Sequence, residues 1–117
     1  MECNVRERDG VIIMELSGRI IASASGTLRK AIDGQLANAS ENVKLLFDFA
    51  DVSAMDSSGL GTMMATHLSI ARQGGRIGII NVGANIKNLI IRSRLITTFE
   101  HFDSEDEAIT AFTAAAD

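Results

Sequence analysis

The 117 residues are 46% apolar and carry a formal net charge of −4, enough apolar material for one domain over residues 1–117 and too little chain for a second. The acidic balance, with no dense run of Lys and Arg, argues against a nucleic-acid surface; no apolar run approaches the roughly 18 residues that span a bilayer, and Met1-Glu2-Cys3-Asn4 lacks the basic start and apolar stretch of a signal peptide, so the chain reads as soluble, cytoplasmic and without membrane contact. Cys3 is the sole cysteine, which rules out an internal disulfide and a cysteine metal cluster, and with no Trp or Tyr and five Phe the chain lacks platforms for stacking nucleobases or sugars.

Residues 4–8 predict a short edge strand, and Asp9-Gly10 a hairpin turn into a second strand over 11–16. Alternation puts Ile12, Met14 and Leu16 on one face and Val11, Ile13 and Glu15 on the other, so this strand should be covered on one side and partly on the other. After Ser17-Gly18 the spacing becomes three and four, at Leu28, Ala31, Ile32, Gln35 and Leu36, which predicts a helix with Ser25 as candidate cap and an end near Asn38 to Ser40. Residues 43–49 read as a strand, followed by a loop through Ala54. A second helix runs from Ser57 to about Gln73, with Leu60, Met64, Leu68 and Ala71 at helical spacing, and Gly74-Gly75 stops it. Residues 76–81 form a further strand, Ile86, Leu89 and Ile90 predict a short third helix, and 97–102 a last strand. Ser104 and Glu107 make a capping box ahead of a final helix carrying Ile109, Phe112 and Ala116. This order predicts an α/β domain: a mixed, mostly parallel central sheet of about five strands, its first hairpin antiparallel, with about four helices.

The stretch with the most chemical content is Asp56-Ser57-Ser58-Gly59-Leu60-Gly61, where strand gives way to the second helix. Free N–H groups and the positive end of the helix dipole make such a start tolerant of an anion, including a phosphate on Ser57; ordinary capping by Asp56 or a serine accounts for the same residues. Ser57 lacks the G-x-S-x-G surround of a hydrolase nucleophile, and the only histidines, His67 near the exposed flank of its helix and His101 late in a strand or turn, read as surface residues. Two histidines without a cysteine cluster make no metal set. Gly59-Leu60-Gly61 follows a strand and opens a helix, but Met64 stands where the dinucleotide fingerprint needs its third glycine; close packing of helix on sheet is the simpler account of these glycines. A phosphoaspartate receiver has this length and order, with Asp48 or Asp56 as acceptor, yet it needs an acidic pair after its first strand and a lysine after its last, and Ser17-Gly18-Arg19 and residues 98–104 supply neither. Asp48 reads instead as a polar residue on the thinner face of a buried strand. No catalytic residue, metal or cofactor is expected.

The longer string Leu46-Phe47-Asp48-Phe49-Ala50-Asp51-Val52-Ser53-Ala54-Met55-Asp56-Ser57-Ser58-Gly59-Leu60-Gly61 resembles the core of STAS domains, in particular the stand-alone anti-sigma-factor antagonists of bacteria. The resemblance extends to residues 11–18 with their L-x-G ending, to Gly74-Gly75-Arg76-Ile77 and to residues 102–108, practically the whole chain. It implies a non-enzymatic partner-switching phosphoprotein of transcription regulation. The first serine after the aspartate, here Ser57, is phosphorylated by an anti-sigma factor that is also a serine kinase, and a serine phosphatase reverses it. The unphosphorylated form binds the kinase and frees a sigma factor or other client; the phosphorylated form lets go.

By the same resemblance Asp56 and Ser58 shape the loop and cap the helix, Gly59 and Gly61, with Leu60 between them, keep the backbone near the partner, and the stretch Gly18-Arg19-Ile20-Ile21 flanks the serine, adding Arg19 and Ile21 to the contact surface. Family members commonly carry acidic residues in that stretch; Arg19 alters kinase recognition or offers a counter-ion to the phosphate. The proline often found after the fourth strand is replaced by Val82-Gly83-Ala84-Asn85. A monomer acting on protein partners is expected. A small-ligand or nucleotide-sensing STAS module using the helix start as an anion cradle, and a scaffold subunit of a signalling assembly, are the alternatives from other classes.

Overall fold

The structure, a computed structural model, describes residues 1–37, 42–94 and 99–114. Strands β1 (Glu2–Arg8) and β2 (Val11–Ile20) form an antiparallel hairpin, two residues longer at its start than the sequence suggests. Asp9 and Gly10 turn it with φ of 52° and 82°; a two-residue turn of this hand matches the twist of the strands, and Asp-Gly is a pair that tolerates it. There follow α1 (Ala24–Leu36), β3 (Lys44–Met55), α2 (Ser57–Arg72), β4 (Arg76–Ile80), α3 (Ala84–Arg92), β5 (Glu100–Phe102) and α4 (Glu105–Thr113). The sheet order is β1-β2-β3-β4-β5, and every pairing after the hairpin is parallel. The expected mixed sheet of five strands with four helices is therefore found among the described residues.

Each face of the sheet carries its own core. On one face Met14, Leu16, Ile20, Leu45, Phe47 and Ile79 pack with Leu28 and Ile32 of α1, Leu60, Met63 and Ile70 of α2, and Ile86 and Ile90 of α3. On the other, Val11, Ile13, Leu46 and Ile80 meet Ala108, Ile109 and Phe112 of α4 alone. Strands covered on both faces read as nearly continuous apolar runs, as 43–49 does. Arg6 and Arg8 reach from β1 to Glu105 at the start of α4, Arg8 Nη1 at 2.7 Å, and Arg8 also pairs with Asp106 at 2.8 Å. Arg76 donates to Glu100 and to the Ala111 carbonyl and lies 4.9 Å over the Phe112 ring.

Four expectations need correction. Residues 50–54 are not a loop: β3 continues to Met55, because β2 also runs on to Ile20 and pairs with it, through register shifts between Glu15 and Ser17 and between Gly18 and Arg19. Ser25 is not the cap of α1; Ser23 holds that position, and Ser25 Oγ donates back to the Ala22 carbonyl at 2.9 Å. The buried stripe of α2 is Gly59, Leu60, Thr62, Met63, Thr66 and Ile70, whereas Leu68 is 46% exposed and Ala71 is exposed. His67 is half-buried, its ring edge-on to Phe99 at 5.8 Å. α1 ends at Leu36, and Asn38 to Ser40, Thr97 and Ala116 lie outside the described residues. At the end of α2, Gly74 takes φ 75°, and Gly75 N–H returns to the Ile70 carbonyl at 2.9 Å, closing the helix as the glycine pair predicts.

Candidate functional site

The lengthened ends of β2 and β3 lie side by side, Ile20 in register with Met55, one residue before Asp56. Asp56 is extended, at φ −110° and ψ −174°, and caps α2. Its Oδ1 accepts from the N–H groups of Ser58 (3.0 Å) and Gly59 (3.3 Å) and from the Ser58 hydroxyl (2.5 Å); its Oδ2 accepts from Ala22 N–H at 3.2 Å. One carboxylate thus fastens the start of α2 to the turn between β2 and α1. The Ser58 hydroxyl first, then the Ala22, Gly59 and Ser58 N–H groups, hold the Asp56 carboxyl below the usual aspartate range. Ala22 sits at φ 51°, a left-handed conformation that costs a residue with a Cβ about 1–2 kcal/mol.

This arrangement separates the two serines. Ser58 Oγ is held by Asp56, while Ser57 is exposed and its Oγ has no partner among the described residues. It also fills the anion cradle expected at this helix start. The Ser58 and Gly59 N–H groups are taken by the Asp56 side chain and Leu60 N–H by the Asp56 carbonyl at 3.1 Å, so an external anion has to displace a carboxylate. Gly59 is buried: a Cβ there would lie 2.9 Å from Ile20 Cγ2, 3.0 Å from the Ile20 carbonyl oxygen and 3.0 Å from Met55 Cγ. Close helix-to-sheet packing is the reason for this glycine. It is not the reason for Gly61, which is exposed and has open space where a Cβ would stand.

Residues 2–108 match the family described as STAS domain. The chain belongs to that family. This STAS domain is 24% identical over 110 residues to the anti-sigma F factor antagonist of Paenibacillus polymyxa, covering 94% of this chain and 93% of that protein. Its structure is similar to the crystal structure of an anti-sigma factor antagonist from Mycobacterium paratuberculosis, with a TM-score of 0.83, 26% identity, and coverage of 96% of this chain and 93% of that one. It is also similar to the anti-sigma factor antagonist SpoIIAA in its unphosphorylated form, with a TM-score of 0.82 and 19% identity over 99% of this chain and 100% of that one.

Within the STAS domain the remaining site residues take different positions. Arg19, in register with Ala54, is exposed and has no ion-pair partner among the described residues; Ile21 is half-buried. Leu60, 3% exposed, belongs to the core under the site and offers no side chain to a partner. His67 lies ten residues beyond Ser57 on the same helix, about 15 Å along its axis, which is too far to act on the serine hydroxyl. Among the described residues its buried Nδ1 has no hydrogen-bond partner. Asp48 accepts from Ala50 N–H at 2.9 Å and from Asn81 Nδ2 at 3.0 Å, joining the middle of β3 to the residue after β4. Sequence reasoning missed Ala22, Ile20 and Met55, which support the cap from the neighbouring turn and strands. Nothing in the sequence marks an alanine for a left-handed turn, so Ala22 carried no signal. Among the described residues no helix is long and apolar enough to cross a membrane.

Proposed function

We propose that this STAS domain is an anti-sigma-factor antagonist, a partner switch that acts by contact in the cytoplasm, with Ser57 as its phosphate acceptor. In this reading the unphosphorylated surface around Ser57 binds an anti-sigma factor with serine kinase activity, and phosphorylation releases it until a serine phosphatase restores the hydroxyl. The observation that carries the proposal is the exposed Ser57 hydroxyl, without a partner among the described residues, beside an Asp56–Ser58 pair that is tied down. Kinship supports it: the three similar proteins named above are anti-sigma factor antagonists, and SpoIIAA has both an unphosphorylated and a phosphorylated form.

The mechanism is electrostatic. Phosphate adds about −1.5 to −2 charge next to the ionised Asp56, whose carboxylate already holds the Ser58 and Gly59 donors. The helix dipole offsets part of that charge in the free domain. In an interface covering the helix start, the same charge must be desolvated, and a penalty of ~3 kcal/mol weakens binding roughly a hundredfold. Incubation with the cognate kinase and ATP, followed by mass spectrometry, tests the acceptor. The expected label is on Ser57, survives hydroxylamine and is absent from Ser57→Ala. A hydroxylamine-labile label, on Asp48 or Asp56, overturns the proposal.

A further inference from the structure

All fifteen acidic residues of the chain lie outside residues 57–99, while Arg72, Arg76, Lys87, Arg92 and Arg94 lie inside that segment. Arg76 is paired with Glu100; the other four have no carboxylate partner among the described residues. Three of these four cluster on α3 and the two residues after it. The buried side of α3 is Ile86 and Ile90, and on its exposed side Asn85, Asn88, Ile91 and Arg92 line a shallow groove of about 420 Å³. Ile91 is 48% exposed, one of three large exposed apolar side chains among the described residues. The groove is tied to the strand that leads to the switch site: Asn85 Nδ2 donates to the Ser53 carbonyl at 3.2 Å, three residues before Asp56.

A stable protein contact needs roughly 800 Å² from each partner, about an eighth of this chain's 6292 Å² surface. The first turn of α2 cannot supply that alone, since Gly59 and Leu60 are buried. We infer that the exposed face of α3, with Asn85, Asn88, Ile91 and Arg92 flanked by Lys87 and Arg94, extends the Ser57 interface and docks an acidic surface of the same kinase. The partner surface has carboxylates around an apolar centre that covers Ile91. An aliphatic centre with a polar, charged rim is the anatomy of a protein interface, whereas an anionic membrane is met by denser basic clusters. This inference rests on the partner-switch reading.

Titration of the kinase against wild type, Ile91→Ser and the double variant Lys87→Glu/Arg92→Glu, at low and high salt with melting curves as folding control, tests it. The altered side chains are exposed, so Ile91→Ser should melt as wild type and the charge reversal only slightly lower, by the helix-dipole cost of a glutamate at Arg92 in the last turn of α3. The charge reversal should weaken binding about tenfold at low salt with the gap closing at high salt, and Ile91→Ser about tenfold at both. Unchanged affinity in both variants, with Ser57→Asp still weakened, overturns the α3 surface and leaves the switch standing. Kinase that binds no form of the protein overturns the switch reading itself, and this inference with it. Wild-type binding to phosphatidylserine vesicles that the charge reversal abolishes, with kinase affinity unchanged, transfers the α3 face to a lipid surface and overturns the assignment to the kinase.

Discussion

Asp56 and Gly59 shape the switch site from opposite sides: the carboxylate gathers donors above the helix start, and the missing side chain lets that start settle on Ile20 and Met55. The two glycines of the motif should therefore respond oppositely to alanine. Gly59→Ala drives a Cβ against the Ile20 carbonyl oxygen at 3.0 Å; overpacking of this kind costs about 1–3 kcal/mol, of which better helix propensity returns about 1. Gly61→Ala meets nothing and should gain up to about 1 kcal/mol. Thermal melting of the two variants checks this, and equal shifts would refute the packing role of Gly59. The D-S-S-G string by itself shows that a cap is present. It does not show which serine is free, because that depends on a 2.5 Å bond from Ser58 Oγ that Ser57 was equally entitled to make.

Elements follow the same division between what periodicity encodes and what packing decides. Among the described residues alternating and helical spacings located β2, the first half of β3, β4 and the first three helices, each of which buries a face, while the Asp9-Gly10 turn and the Ser104 cap marked β1 and α4. Periodicity failed on α2 because its apolar residues are not confined to one face: Leu60, Met64, Leu68 and Ala71 share a helical spacing, as do Leu60, Met63, Thr66 and Ile70, which is the set that is buried. It failed on the far half of β3 because Asp51 and Ser53 look like loop residues until β2 is seen to run on beside them. The link between β1 and α4 was equally invisible, joining Arg6 and Arg8 to Glu105 across nearly the whole chain. The Arg6 hydrogen bond first, and then Arg8, hold the Glu105 carboxyl below the usual glutamate range. A carboxylate with a lowered folded-state pKa contributes stability that is present above its unfolded value, about 4.3, and is lost as pH falls through the folded one. Glu105→Gln should thus destabilise the protein at neutral pH by at most about 1 kcal/mol, since the partners are partly exposed. The difference from wild type should shrink at high salt and vanish in acid, as melting curves across pH will report.

At the scale of the whole molecule, fold and switch should separate, because the elements that position Ser57 do not depend on its hydroxyl. The two cores are built on both faces of the sheet, and Ser57 belongs to neither. The cap of α2 is Asp56, so neither Ser57→Ala nor Ser57→Asp removes a capping bond, and both should melt within about 0.5 kcal/mol of wild type, the usual range for exposed sites. Affinity for the kinase should not follow stability. Ser57→Ala should stay permanently competent, whereas Ser57→Asp places a second carboxylate beside Asp56 in a surface that must lose water on binding, and should bind ten- to a hundredfold more weakly, about 1.4–2.8 kcal/mol. Arg19 tests how local that charge is. It is exposed and unpaired among the described residues, on the strand that ends beside the cap; if it screens the new charge, Ser57→Asp/Arg19→Ala should bind worse than Ser57→Asp alone. Equal titration curves for those two proteins would exclude Arg19 as counter-ion. Equal curves for wild type, Ser57→Ala and Ser57→Asp would remove Ser57 from the mechanism, for a switch whose two states bind alike shifts no equilibrium.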